Sequence, residues 1–569
     1  MIPVIGLLLA CASCKKESST PDNTTTTKKD TIPVDPTLLA SQGFFLDNWQ
    51  TKNFTVPTST ADITPPTTAD VTVTVNTGKV ISKMPNTIFG NNSNLWIGQI
   101  NSESTLMGHL ANFQPRILRG PAGSVSDVFF FNRDSAPADV PATLVNADGS
   151  SSSTGYGWYG KNTQSWTFSI DGYYDMLAKT NSIGLLTVNY GYARYGTSAN
   201  PVAAAAHLAA DWVRYDKGKT KFWEIGNEVF GDWEAGYRID TKNNKDGQPE
   251  IVTGALYGKH FKVFADSMRK AANEIGVTIK IGAVLYDSEP QSWNTNTIKT
   301  WNSGYFSEAG NYADFYSVHN YFTPYNENST ATTIFNSATS IPGSVMAYVK
   351  KTMTAAGVPE KPIAMTEWNM FCTGSKQNVS HVAGMHAVIA LGELVKNGYG
   401  AALRWDLGNG WDNGNDHGMF SLGDEPDGIA KWNPRPAFFH MYYYQRFTGD
   451  RMLSSTVTGS TDILAYATSF TSGEKGIVLV NKGTVMKNVD VNFQYFTPGS
   501  KAYFYTLTGG TDNGDFSRMV YINGIAPENG KAGGTLTYSS VKMKSFSTAD
   551  GIKINLPARS VIFAVVDKK

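Results

Sequence analysis

Between residues 86 and 408 the chain alternates short runs of β-branched and apolar residues with longer stretches whose apolar positions recur at helical spacing. Polar loops rich in Gly and Asn separate the two. Eight runs stand out: NTIFGNN (86–92), PRILRG (115–120), IGLLTVNYG (183–191), KFWEIGNE (221–228), VTIKIGAVL (277–285), ADFYSVHNY (313–321), KPIAMTEWN (361–369) and GAALRWDLG (400–408). The clearest helical stretches between them lie at 201–215, 257–275, 344–357 and 381–398. Eight strand-then-helix repeats predict an α/β fold, a (β/α)8 barrel over residues 85–447. An open doubly wound sheet is the alternative, but no GxGxxG follows an early run.

Beyond PRPAFFHMYYYQRF (434–447) the period changes to short alternating strands with frequent turns, DILAYATSF, KGIVLVNKG, VDVNFQYF, KAYFYTL, GIKINLP and SVIFAVVD. This predicts a C-terminal β-sandwich over 448–569 that buttresses the barrel. The segment VTVTVNTGKVIS also alternates, so residues 71–84 are expected to add a strand to that sandwich.

The N-terminus has a different pattern. Ile2 to Ala12 form an apolar run too short to span a bilayer, and it reads as an export signal. Both Leu8-Leu9-Ala10-Cys11 and Cys11-Ala12-Ser13-Cys14 compare with the bacterial lipobox, and Lys15 and Lys16 follow as in the Bacteroidetes surface lipoproteins this region resembles. The resemblance implies a lipoprotein signal over 1–14 and an exported protein tied to the outer membrane only through a lipid anchor. Residues 15–35, and again 55–70, are dominated by Thr, Ser, Asp, Lys and Pro, which predicts a disordered tether and lead-in over 15–70 and a folded body that begins near residue 70. Cys372 is the one remaining cysteine, so no disulfide can form within the body.

Composition narrows the function. Lys+Arg and Asp+Glu are both 48, and charged residues make up 17% of the chain, against roughly 25% in an average protein. A chain that neutralises phosphate would be basic, so nucleic acid is disfavoured as a partner. Aromatics reach 12% alongside 54 Gly, a composition that suits stacking on uncharged sugar rings and equally suits a β-rich core.

In a barrel, reactive groups sit where strands run into loops at the C-terminal rim. The fourth run ends Trp223-Glu224-Ile225-Gly226-Asn227-Glu228 and the seventh ends Met365-Thr366-Glu367-Trp368-Asn369. Two carboxylates on facing strands are the requirement for cleaving a glycosidic bond with retention, one as proton donor and one as nucleophile. Glu224, four residues before Glu228, is expected deeper in the barrel in a structural role.

GNE at the fourth strand with Glu at the seventh resembles clan A of the glycoside hydrolases. Within it, WEIGNEVFGDW is similar to the acid/base segment of the family 51 and family 39 enzymes, and AMTEWN to the nucleophile segment of family 51 α-L-arabinofuranosidases. Arg119-Gly120-Pro121-Ala122-Gly123 is similar to their RxPGG segment, with Gly120 and Ala122 as departures. The resemblance implies Glu228 as acid/base, its pKa raised by Glu367 and burial, and Glu367 as nucleophile, kept ionised by Arg119 and Tyr321. It implies Asn227 on the sugar 2-hydroxyl, His319 positioning Glu228 or a sugar hydroxyl, and Trp368, Trp405 and Trp411 as candidate platforms. The loop 407–420 is expected to form a sugar-binding wall rather than a metal site, and no cofactor is expected. No P-loop or GxSxG occurs, and no CxxC lies within the folded body.

The expected function is a retaining hydrolase of plant or algal polysaccharide, α-L-arabinofuranosidase-like, with a polysaccharide or oligosaccharide as partner. An endo-acting β-glycanase of the same clan and a non-catalytic carbohydrate-binding lipoprotein are the alternatives. Long loops at 121–165, 229–253 and 406–434 separate the first two, by walling off a pocket or flanking an open cleft.

Overall fold

The computed structural model describes residues 34–152, 157–374, 376–412, 416–510 and 515–569. The expected signal segment 1–14 and the first part of the tether lie outside the described residues. No described helix is long and apolar enough to cross a membrane.

Eight parallel strands close into a barrel: β1 (Gly90–Asn92), β2 (Ile117–Gly120), β3 (Ile183–Val188), β4 (Thr220–Ile225), β5 (Lys280–Val284), β6 (Phe315–Asn320), β7 (Ile363–Trp368) and β8 (Ala401–Arg404). Each lies within one of the eight apolar runs, except that β4 begins one residue earlier, at Thr220. The helices that follow are α1 (Ser104–Phe113), α2 (Ile170–Thr180), α3 (Pro201–Asp216), α4 (Gly254–Glu274), α5 (Asn296–Ala309), α6 (Ala331–Ala355), α7 (His381–Lys396) and α8 (Pro436–Phe447). Most open on a side chain that accepts a backbone N–H of the first turn: Ser169, Asn200, Thr253, Thr295, Thr330 and Ser380. Helix α6 departs from the sequence expectation of 344–357, because it starts at Ala331 and runs through Pro342. Burial of Ile334, Phe335 and Ala338 against the barrel outweighs the hydrogen bond that proline removes.

The strand Val71–Lys83, which precedes the barrel, runs antiparallel to Arg451–Thr458 and parallel to Lys487–Gln494. It enters a mostly antiparallel sheet of the C-terminal region, whose core includes Val71, Val73 and Val75 with Ile477, Val489, Phe504 and Ile562. Helix α8 joins the two bodies through Tyr443, which stacks near Tyr505 and Phe563 and donates its hydroxyl to the carbonyl of Tyr538.

The expectation that the folded body starts near residue 70 is corrected. Residues Gly43–Leu46 form a turn that inserts under the barrel, with Phe45 4.8 Å from the Phe222 ring and 5.6 Å from Phe315. Ile117, Leu185, Ala364, Ala401 and Leu403 complete this floor. Gly400 is required there, since a Cβ would lie 2.3 Å from Phe45. Further along, Lys52 donates to the carbonyls of Gln445 and Thr448 at the end of α8. A short apolar cluster, GFFL, inside a polar lead-in is enough to anchor it, because the open end of a barrel offers a large apolar area to cover.

Candidate active site

Above the aromatic floor the barrel interior turns polar. Arg119 on β2 is fully buried and spends its guanidinium on four partners: Nε donates to Glu224 (2.6 Å), Nη1 to Asn92 (3.0 Å) and Glu367 (2.8 Å), and Nη2 to Asn227 (2.8 Å). Glu224 also accepts from Thr187 (2.9 Å) and Ser317 (2.6 Å), so it lies deeper than Glu228, within the barrel. Despite its burial, the charges of Glu224 and Glu367 raise the pKa of Arg119 and keep it a cation.

The two glutamates that end the fourth and seventh runs sit on this layer. Between β6 and β7 the register shifts, Val318 pairing with Met365 but His319 with Glu367, so β7 carries an extra residue beside the site. Glu367 is directed over the bowl, where it accepts from Arg119 and from the Tyr321 hydroxyl (2.9 Å). Glu228 stands past the end of β4, after Gly226 (φ 78°) and in a left-handed conformation of its own (φ 42°). It accepts from the Trp233 indole (3.0 Å), and its other oxygen meets His319 Nδ1 (2.9 Å); His319 Nε2 contacts Thr366 Oγ1 (3.0 Å). One oxygen from each glutamate and a ring nitrogen of His319 lie within 4.8 Å of one another. The Glu228 side chain is 20% exposed, which leaves it reachable from the bowl.

This set offers one ligand atom per residue to a cation, but Arg119 and Tyr321 already occupy Glu367 and His319 Nδ1 faces Glu228. The arrangement is better suited to moving protons. Burial raises Glu228, but hydrogen bonds from His319 and Trp233 and the His319 and Arg119 charges outweigh it, so its pKa falls below the ordinary value. The expected upward shift at Glu228 is thereby corrected. Burial raises Glu367, and although His319, Arg119 and Tyr321 oppose it, the Glu228 charge helps to leave it above its ordinary value. Burial lowers His319, but the negative charges of Glu367 and Glu228 prevail and raise it. Both directions favour the imidazole side of the His319–Glu228 contact as the place for a shared proton.

Asn227 is buried, its amide held between Arg119 and Glu234. Trp405 is half-buried at the rim beyond β8, 5.8 Å from Trp96, and Gly123 is needed beneath it because a Cβ would lie 2.5 Å from the indole. In the RGPAG segment Ala122 adopts φ 75°, a conformation that favours glycine. Trp368 is corrected from platform to core: it is fully buried on the outer face of β7, near Phe322 and His386. Side chains alternate across a strand, so the residue after Glu367 turns away from the bowl. Trp411 is corrected too. Lys376 (4.4 Å) and the Arg518 guanidinium (4.8 Å) lie over its ring, where it ties the loop after β8 to the C-terminal region. Within that loop Asp416 pairs with Lys376, while His417 is buried and its Nε2 faces the Met370 carbonyl.

Several site residues escape sequence reasoning. Asn92 closes β1 and bridges Arg119 to the Thr366 carbonyl. Trp233, 57% exposed, caps Glu228. Asp127 and Glu234, both buried, hold Asn227 from beneath. The only signal for the last three is that they follow a strand end within about ten residues, in loops whose course is set by the fold.

Among solved structures, the α-L-arabinofuranosidase of Thermotoga maritima in its arabinose complex is similar over 87% of this chain and 99% of its own, with a TM-score of 0.59 and 17% identity. The family 51 arabinofuranosidase of Xanthomonas axonopodis pv. citri is similar over 88% and 100%, with a TM-score of 0.57 and 14% identity. A xyloglucanase of Paenibacillus polymyxa from glycoside hydrolase family 44 is similar over 88% and 99%, with a TM-score of 0.52 and 12% identity. No family model matches the chain, and no curated relative matches it in sequence. At these identities the likeness shows the fold: this chain has the barrel with appended β-domain that those enzymes share.

Proposed function

We propose that the chain is a retaining glycoside hydrolase, α-L-arabinofuranosidase-like in its preference. The observation that carries the reading is the approach of Glu228 and Glu367 to within 4.8 Å of each other. Retention is served by carboxyl groups about 5–5.5 Å apart, whereas inversion needs about 6.5–9.5 Å to seat a water. Arabinofuranosidases among the structural neighbours support the sugar preference.

In the first step Glu228 protonates the glycosidic oxygen, its proton supplied across the His319 contact, while Glu367 attacks the anomeric carbon to form an ester. Arg119 and Tyr321 hold the attacking carboxylate in place. In the second step Glu228 takes a proton from water, which displaces Glu367 and returns the enzyme. Asn227, fixed by its two side-chain partners, is placed to bond the sugar 2-hydroxyl as the ring gains positive charge. Trp405 serves as the sugar platform. The loops after β2 and β4 are bridged through Val145, Arg238 and Ile251, which supports a walled, exo-acting bowl. For localisation the reading is an exported, lipid-anchored protein, supported by the lipobox-like cysteines.

A panel of aryl glycosides and polysaccharides headed by the α-L-arabinofuranoside tests this. Free arabinose is the expected product; oligosaccharides from an intact backbone would move the reading to an endo-glycanase. Glu367→Ala should lose nearly all turnover, with azide restoring part of it as the inverted product, and full activity in that variant would remove the nucleophile assignment.

A further inference from the structure

Two carboxyl groups outside the reacting pair converge on Asn227. Asp127 is fully buried and accepts the backbone N–H of Asn227 (3.0 Å), Tyr190 (3.0 Å) and Gly191 (3.2 Å). Glu234 is 4% exposed; its Oε1 accepts from the Asn227 amide (2.9 Å) and the Ser124 hydroxyl (2.8 Å), while its Oε2 is buried with no hydrogen-bond partner. Tight turns, Gly231 N–H to the Glu228 carbonyl and Glu234 N–H to the Gly231 carbonyl, return the chain so that Glu234 lies under the residue preceding Glu228. The charged groups around it are Asp127 from the loop after β2, Glu228 from its own loop and, through Asn227, Arg119. The nearest of these are negative.

We infer that Glu234 is a positioning residue that works as a neutral acid, its proton on Oε2, holding Asn227 and the turn that carries Glu228, and that its ionisation sets an alkaline limit on activity. An ionised Glu234 would add a third negative charge beside Asp127 and Glu228 in a place that water cannot reach, so it must move toward solvent and take Asn227 with it. Burial and the charges of Asp127 and Glu228 accordingly push its pKa well above the ordinary value. The link to activity rests on the glycosidase reading; the protonation state does not.

Glu234→Gln keeps the Oε1 acceptor and replaces the protonated oxygen with a group that cannot ionise. It should retain aryl-glycoside turnover at neutral pH within about threefold and move the alkaline limb of the profile up by about one pH unit or more. Glu234→Ala, which removes the anchor, should lose about 100-fold in kcat. A Gln variant as impaired as the Ala variant, or an unmoved alkaline limb, would overturn the proposal. Infrared difference spectroscopy of substrate-free protein at neutral pH gives an independent readout. The carbonyl stretch of a protonated carboxylic acid should be present in the wild type and diminished in Glu234→Gln, and identical spectra would overturn the proposal whatever the chain hydrolyses. Wild-type protein that shows the band but cleaves no glycoside would remove the glycosidase reading and leave the neutral acid standing.

Discussion

The floor and the bowl of the barrel are built on the same eight strands and obey opposite rules. At the floor Phe44, Phe45, Phe222 and Phe315 fill the space between strand beginnings with aromatic rings, and every contact there favours folding. At the bowl Arg119, Glu224 and Glu367 put buried charge in the same cross-section, where desolvation consumes most of the attraction. The difference shows a division of labour along one axis: stability is concentrated below, and above it the chain tolerates a costly arrangement because that arrangement places two acids close together.

This contrast can be broken most severely at Arg119. Arg119→Met should strand Glu224 and Glu367 without their cation, lowering stability by about 3–5 kcal/mol in denaturant titration and removing most activity. At the floor, Phe45→Ala should cost about 3 kcal/mol by the same measurement and leave activity per folded molecule unchanged. Should that variant lose turnover in proportion, the two ends are not separable.

A pH series sharpens the comparison. Asp127, raised to about 7, and Glu234, Glu367 and His319, raised in the same sense, all bind protons more tightly folded than unfolded. Their stabilisation is complete below the unfolded pKa values and is lost as pH rises through the folded ones. The melting temperature should therefore fall between about pH 5 and pH 8. Glu234→Gln should flatten that fall, whereas Phe45→Ala should shift the whole curve without changing its slope. The smallest effect belongs to neither end: Thr253→Ala, which removes the N-terminal cap of α4, should cost about 1 kcal/mol and leave both the pH slope and the activity as they were.

Much of the barrel is legible in the sequence because periodicity is a local property. A run such as KPIAMTEWN declares a buried strand from its own composition, and the eight recurrences declare closure. The candidate pair Glu228 and Glu367 was legible for the same reason, each standing at the end of a run. The tryptophans were less so. Trp368 and Trp405 are alike in the sequence, each flanking a strand end, but only strand parity and the register shift at β7 decide that one faces α7 and the other the rim. Trp411 reads as another exposed ring until Arg518, more than 100 residues on, is seen to lie over it.

By itself, then, the sequence determined the order of strands and helices, the change to an alternating β-region and the two glutamates, since each depends on neighbours a few residues away. Tertiary structure alone decided that GFFL closes the floor, that Arg119 joins β1, β2, β4 and β7, that His319 meets Glu228, and that Asp127 and Glu234 meet under Asn227. These depend on side chains distant in the chain sharing one low-dielectric space, where burial and neighbouring charge set the protonation of each group.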